Sequence, residues 1–228
     1  MSILLGSEGP VLVIAPHPDD EVLGAGGTIA RLAEAGREVH VAVVTRGMPP
    51  AFSDAFTETV RAEARAAHAH LRVTRTHWLD LPAAQLADLP HAELNRAIGG
   101  LVREIAPAVL LVPHVGDIHL DHQHIFLSAL VAARPHQAAF PRTVLAYETL
   151  SETNWNAPYL SPAFLPNVFV DITATLERKL EAFAMFESQA LAAPHERSVG
   201  ALRALATLRG ATVHKSACEA FVLVRDVV

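Results

Sequence analysis

Short apolar runs alternate along the chain with longer segments in which apolar residues recur every three or four positions. Continuous runs of four to six residues are typical of strands that are covered on both faces of a sheet. Such runs predict strands at Val11–Ala15, Val39–Val44, Val109–Val112, Thr143–Tyr147 and Val168–Val170, with a final strand around Phe221 and Leu223.

The segments between these runs have the period of amphipathic helices. The first extends from about Val22 to Ala35, and Gly36 follows at the position of a helix C-cap. Helical spacing of apolar residues predicts further helices over residues 60–71, 94–105, 126–133, 176–183 and 202–208, the last of them ending at Gly210. Strands that alternate with helices in this way predict an α/β fold, a three-layer sandwich with a mainly parallel sheet.

Composition is that of a well-packed globular protein. The chain has 228 residues, of which 51% are hydrophobic and 18% charged, enough apolar surface for a large core. No repeat, low-complexity tract or shift in composition marks a linker, so we expect one domain over residues 1–228. The irregular stretch from Glu148 to Pro166 has the length of a binding loop or subunit contact, and we expect a homo-oligomer. Asn154 within it is a candidate substrate-binding residue.

Charge and cysteine content exclude several classes of protein. With 18 Lys and Arg against 24 Asp and Glu, the formal net charge is −6, and no basic cluster is present for nucleic acid or an anionic membrane surface. The single cysteine, Cys218, excludes a disulfide framework and a cysteine-rich zinc module, and we interpret it as a small buried residue. The N-terminal residues lack signal-peptide features and no apolar stretch is long enough to span a membrane, so we expect a cytoplasmic protein.

Candidate chemistry first appears directly after the first predicted strand, in the sequence Pro16-His17-Pro18-Asp19-Asp20-Glu21. Ligands of parallel sheets lie beyond the carboxyl ends of the strands. A dinucleotide-binding protein has glycines at this point, whereas consecutive carboxylates repel a phosphate and attract a cation. Acids also favour the positive end of a helix without any ligand. The glycines that follow, Gly24, Gly26 and Gly27, are only a fragment of the dinucleotide fingerprint, and we interpret them as sites of close backbone packing.

A second group of histidines and carboxylates follows another buried strand, in the segment from Pro113 to His124. His119 and His122 are three positions apart, so one helical turn places them on the same face. Two such loops at one edge of a sheet can supply two histidines and a carboxylate to one ion and leave a position open for water. These ligands suit a catalytic zinc, but the same set occurs in non-haem iron oxygenases. Ligand type alone therefore leaves the metal and the reaction open.

Together, Pro16–Glu21 and His119-Leu120-Asp121-His122 resemble the motifs of the PIG-L/LmbE-like zinc-dependent de-N-acetylases. Shorter matches follow in the same order along the chain, at Thr45-Arg46-Gly47, Gly116-Asp117, Tyr147-Glu148, Pro166–Asp171, Glu187-Ser188-Gln189, Arg209-Gly210 and Glu219-Ala220-Phe221. The resemblance implies a Rossmann-like fold and the removal of acetyl from an N-acetylglucosamine-type amino-sugar conjugate. It also implies Zn²⁺, or another divalent ion such as Fe²⁺, as the cofactor.

The resemblance further implies a role for each residue of the two motifs. The metal ligands would be His17, Asp20 and His122. Asp19 would be the general base on the attacking water, although spacing alone does not distinguish it from Asp20 as a ligand. His119 would stabilise the oxyanion or protonate the leaving amine, with Asp121 holding its orientation and favouring its charged form.

Alternative interpretations concern both the function and the residues around the motifs. An amidase acting on a thiol–sugar conjugate would use the same residues, and a noncatalytic Rossmann-like binding protein is the alternative from another class. The acidic first loop argues against a nucleotide, and an intact base and acid argue against lost activity. Arg61 matches a substrate-binding arginine of the family, although a solvated helix face explains it equally well. His114 and His124 match no ligand position, and we expect them in solvated positions or behind the ligands.

Overall fold

Strands and helices largely alternate in the computed structural model, which describes Leu4 and residues 8–228. The remaining N-terminal residues, interpreted above as lacking signal-peptide features, lie outside the described residues. The strands are β1 Val11–Ala15, β2 Val39–Arg46, β3 Arg75–Pro82, β4 Val109–Pro113, β5 Thr143–Tyr147, β6 Val168–Asp171 and β7 Cys218–Asp226. The α-helices are α1 Asp20–Glu34, α2 Asp54–Leu71, α3 His91–Ile105, α4 Leu120–Ala132, α5 Leu176–Ala184 and α6 Val199–Thr212.

All seven strands form one sheet in the order β3-β2-β1-β4-β5-β7-β6. Every pair from β3 to β5 is parallel, and β7 runs antiparallel to both of its neighbours. The predicted α/β class with a mainly parallel sheet is therefore confirmed. From β1 the chain proceeds outward through β2 and β3 and then returns to β4 on the other side of β1. The loops after β1 and β4 consequently diverge, which opens a crevice at the carboxyl edge of the sheet.

The sheet is covered on both faces, which explains the continuous apolar runs. Side chains of a strand point alternately to the two faces, so Val11 and Val13 of β1 join a core with α1, α2, α5 and α6. Leu12 and Ile14 join a second core with α3 and α4. These residues are at most 1% exposed, so β1 lies at the centre of three layers.

Glycines of α1 allow other elements to approach the helix closely, as predicted. A Cβ atom at Gly24 would lie 2.2 Å from the Tyr147 ring, and one at Gly27 would lie 2.8 Å from Ile172. After α1, Gly36 has a positive φ of 75° at the predicted helix end. Within the described residues no helix is long and apolar enough to cross a membrane. Cys218 is buried, as expected.

Several element boundaries differ from the prediction. The strand β3 was not predicted, because it is a partly exposed edge strand in which polar residues interrupt the apolar ones. The helices α1 and α4 begin earlier than predicted, so that residues of both acidic motifs lie in their first turns. Gly210 does not end α6, which continues to Thr212. Instead, a Cβ at Gly210 would lie 2.7 Å from the Lys215 carbonyl oxygen, so close packing explains this glycine.

Candidate active site

The turn between β1 and α1 sends two neighbouring aspartates in different directions. Asp19 stands at the N-cap of α1 with a φ of 119°, a conformation that few residues other than glycine adopt. Its backbone N–H donates to Glu21 Oε2 at 3.2 Å, which helps to hold this turn. As a result, the carboxylate of Asp20 lies among the histidines, whereas that of Asp19 faces Arg197. Backbone geometry thus separates two residues that spacing alone does not distinguish.

His17, Asp20 and His122 meet at the crevice between β1 and β4. The atoms with which they could bind a metal all lie within 4.8 Å of one another. Asp20 Oδ2 is 3.3 Å from His17 Nδ1 and 3.2 Å from His122 Nε2. Asp20 Oδ1 is buried without a hydrogen-bond partner, and buried His122 Nε2 has only the ion-pair contact with Asp20 Oδ2, which lacks hydrogen-bond geometry. Buried polar atoms without a partner are costly, so these two atoms fit the requirement of a bound cation.

A residue outside the predicted set, Asp117, orients His122. Its Oδ2 atom lies 2.8 Å from His122 Nδ1, and its Oδ1 atom accepts a hydrogen bond from Thr153 Oγ1 at 2.6 Å. Nδ1 therefore carries a proton that Asp117 accepts, and Nε2 points toward Asp20, where it can bind a cation once it is deprotonated. This carboxylate–histidine arrangement is typical of metal-ligating histidines. In the sequence, Asp117 was noted only as part of Gly116-Asp117, one of the short matches to the family, and no role was assigned to it.

Carboxylates around the two histidines strongly affect their protonation. Although burial opposes it, hydrogen bonds with Asp121 and Asp20 raise the pKa of His17 to about 9. Although burial opposes it here too, Asp20 and Asp117 raise the pKa of His122 to about 10. The same contacts overcome the effect of burial on Asp20 and hold its pKa well below the usual range. In the absence of a metal, protons therefore occupy the cation site, and a bound ion must displace them.

The expectation that the Asp121 carboxylate holds His119 in its charged form is wrong. The carboxylate oxygen Oδ2 lies 3.1 Å from His17 Nε2 and accepts the Ala84 backbone N–H at 2.7 Å. It is the backbone N–H of Asp121 that donates to His119 Nδ1, at 3.1 Å, so the proton of His119 is on Nε2. Burial, together with the neighbouring His17, lowers the pKa of His119 to about 4. At neutral pH His119 is an uncharged hydrogen-bond donor.

A pocket of about 220 Å³ opens beside this cluster. Asp19 and His119 line it together with residues of the loop after β2 and of α2. Burial raises the pKa of Asp19 to about 8, against the opposing effect of Arg197. A carboxylate with a raised pKa inside a pocket has the properties of a general base.

The structure separates the two predicted substrate-binding residues. Arg61 lines the pocket, forms an ion pair with Asp80 and stacks on the Trp78 ring at 4.8 Å. Asn154 is not among the lining residues, and its side chain contacts Glu196 and the backbone N–H of Ser151 instead. These contacts hold its amide in the turn after β5, and a role of Asn154 in substrate binding stays a prediction.

The remaining histidines of the second motif lie apart from the cation site. His114 is buried, rather than solvated, and its Nε2 atom hydrogen-bonds to the Pro162 carbonyl oxygen at 3.0 Å. The ring of His124, which is half-buried, lies 6.1 Å from that of His91 at the start of α3. Neither residue belongs to a group that could hold a metal ion within the described part of the chain.

Fold and site together define a class: α/β proteins with a histidine–aspartate cation site at the crevice of a mainly parallel sheet. The chain belongs to one family of this class. The family model described as PIG-L, GlcNAc-PI de-N-acetylase, matches residues 12–133, from β1 to the end of α4. This span contains both motifs, and the predicted family is confirmed.

Individual relatives agree with this assignment. The chain is 30% identical over 190 residues to diacetylchitobiose deacetylase of Thermococcus kodakarensis, covering 78% of this chain and 69% of that protein. It is 28% identical to 1D-myo-inositol 2-acetamido-2-deoxy-alpha-D-glucopyranoside deacetylase of Rhodococcus erythropolis, over 81% of this chain and 82% of the relative. Its fold matches the crystal structure of a conserved protein of Thermus thermophilus with a TM-score of 0.79, 26% identity and 97% coverage of both chains.

Proposed function

We propose that this protein is a zinc-dependent hydrolase that removes the acetyl group from an N-acetylglucosamine-type amino-sugar conjugate. The observation that supports it most directly is the pair of buried atoms Asp20 Oδ1 and His122 Nε2, which lack hydrogen bonds of their own and converge with His17 beside the carboxylate of Asp19. Relatives named as deacetylases of acetylated amino sugars support the same reaction.

The ligand set fits a divalent ion. His17, Asp20 and His122 would hold it, with Asp117 fixing the orientation of His122. A bound Zn²⁺ or Fe²⁺ supplies a Lewis acid that polarises the amide carbonyl and makes water a better nucleophile at neutral pH. Nitrogen and carboxylate ligands without thiolates are usual at catalytic zinc sites, and three protein ligands leave room for substrate and water.

The chain's own residues then carry out the proton transfers. Asp19 accepts a proton from the attacking water as its oxygen bonds to the acetyl carbonyl carbon. His119, neutral and protonated on Nε2, donates a hydrogen bond to the oxygen that becomes negative. The bond between carbonyl carbon and nitrogen then breaks, and Asp19 returns its proton to the nitrogen. The products are acetate and the free amino sugar.

The pocket limits what can bind beside these groups. Its volume of about 220 Å³ is below the roughly 300–1,000 Å³ of sites for drug-sized ligands, which favours a single sugar ring over a whole conjugate as its occupant. Phe52 and Phe56 form an apolar wall, and Arg61 adds a hydrogen-bond donor. An apolar surface beside polar groups suits a sugar ring, whose carbon face and hydroxyls point in different directions.

Metal content and product release test the proposal together. The purified protein should contain about one zinc or similar ion per chain and release equal amounts of acetate and amine from diacetylchitobiose or another N-acetylglucosamine conjugate. His122→Ala should lose both the ion and the activity, because it removes a ligand. The control His124→Ala, two positions along α4, should retain both. A metal-loaded protein that releases no acetate from any such conjugate would contradict the proposed function.

A further inference from the structure

A half-buried arginine in the pocket, Arg197, belongs to neither motif. Arg197 lies in the segment between α5 and α6, and its side chain, 19% exposed, lines the pocket beside Asp19. Its Nη1 atom donates to Asp19 Oδ2 at 3.1 Å and to Gln189 Oε1 at 3.2 Å, and its Nε atom donates to Ser151 Oγ at 3.0 Å. The guanidinium thus connects the loop after β1, the turn after β5 and its own segment.

Asp19 depends on such a partner for the placement of its carboxylate. Its positive φ and the hydrogen bond to Glu21 hold the backbone, but neither of them fixes the side-chain rotamer. In the described part of the chain, Arg197 is the side chain that donates a hydrogen bond to this carboxylate. The second terminal nitrogen of the guanidinium, Nη2, lies 4.0 Å from Glu152 Oε1.

We infer that Arg197 is the residue that positions Asp19 for proton transfer. The inference rests on the proposed function, in which Asp19 takes the proton of the attacking water. Ser151 and Gln189 anchor the planar guanidinium, and the anchored group then fixes Asp19 Oδ2 in the pocket. A lysine would supply the charge but not the fork of fixed N–H groups, so Arg197 acts through geometry as well as charge.

Replacement of Arg197 by Met removes the fork and keeps a side chain of similar length. The kcat of Arg197→Met should fall about 100-fold, within the usual range for general acid–base catalysis, while KM stays within about threefold and the metal content stays at one ion per chain. Arg197→Lys should recover part of the loss. The matched control Arg203→Met, an exposed arginine of α6 paired with Glu177, should behave as the unmodified protein.

Two further measurements decide whether the effect passes through Asp19. In the Asp19→Asn variant, adding Arg197→Met should lower kcat by less than about twofold, because the effects of two substitutions on one coupled pair do not add. Multiplied losses, or a raised KM at constant kcat, would mean that Arg197 acts on the substrate directly. A crystal structure of Arg197→Met should show the Asp19 carboxylate displaced, and an unchanged carboxylate would overturn the inference whatever the substrate is. If the unmodified protein does not deacetylate any substrate, the proposed function is contradicted. The crystal structure of Arg197→Met would still decide whether Arg197 positions the Asp19 carboxylate.

Discussion

At the scale of the residue, protonation and orientation in this site depend on partners more than on residue type. Asp19 and Asp20 are neighbours of one type, yet burial raises the pKa of Asp19 to about 8, while His122 and His17 outweigh burial and lower that of Asp20. His119 and His122 differ in the same way, with pKa values of about 4 and about 10. The carboxylates within hydrogen-bond distance of each ring explain the difference.

Asp117 gives a test at this scale. Asp117→Asn should weaken metal binding about 10- to 100-fold. An uncharged amide oxygen accepts the hydrogen bond from His122 Nδ1 more weakly than a carboxylate, and the amide N–H₂ group must face either Thr153 Oγ1 or His122 Nδ1. Competition with a chelator of known affinity measures the change. Asp88→Asn, at an exposed position, is the control and should leave the affinity unchanged. Equal metal affinity in the two variants would show that Asp117 does not support the ligand.

At the scale of the element, α1 carries the site and is held from several sides. Its glycines let Tyr147 and Ile172 pack against the helix backbone. Glu219 of β7 accepts the backbone N–H groups of Gly27 and Thr28 at 2.9 and 2.7 Å. Lys179 of α5 donates to Glu219 at 2.6 Å and to the Leu23 carbonyl oxygen at 2.8 Å. These contacts fix the helix whose N-terminus bears the two aspartates.

Gly24→Ala tests the close approach of α1 and β5. Its added methyl group would lie 2.2 Å from a ring that is fully buried and fixed by a hydrogen bond to Ile14, so it cannot be accommodated without movement. We expect a loss of about 1–3 kcal/mol in the free energy of unfolding, measured by urea denaturation, and lower activity. Gly100→Ala, in α3 with open space around it, should instead stabilise the protein by up to about 1 kcal/mol. Similar effects of the two substitutions would show that packing at Gly24 is unimportant.

At the scale of the whole molecule, the site exists only when distant parts of the chain come together. His17 and Asp121 are 104 positions apart, and Asp19 and Arg197 are 178 apart. An ion bound by such a site binds the folded chain far better than the unfolded one, so metal binding and stability are linked. The single domain over residues 1–228, the homo-oligomer and the cytoplasmic location stay predictions.

Metal binding should therefore raise the melting temperature. Zinc at 100 times its dissociation constant should add about 2.7 kcal/mol, or about 5–10 °C for a chain of this size. At a fixed zinc concentration the increase should grow from pH 6 to pH 8, because protons favoured on His17 and His122, with pKa values of about 9 and 10, compete less as the pH rises. Scanning calorimetry with and without zinc measures it, with His122→Ala as the control that should not respond. An increase that shrinks toward pH 8 would contradict this linkage.

Local pattern in the sequence determined the fold class, the buried strands and the two loops that bear the site. The spacing of hydrophobic residues reflects which faces of a segment are covered, so it can be read from the sequence. Each motif consists of a few consecutive residues and can be read in the same way. The same reasoning failed for β3, because an edge strand is only partly covered and lacks a continuous apolar run.

Tertiary structure alone decided which groups face one another. It brought Arg197 to Asp19, gave the Asp121 carboxylate to His17 rather than to His119, and placed Asn154 outside the pocket. It also determined the neutral state of His119, since burial and neighbouring charge depend on residues from separate loops. The sequence by itself could indicate the chemistry because the residue types are local. Several of their partners and much of their protonation depend on contacts between residues more than a hundred positions apart, and no local pattern records those.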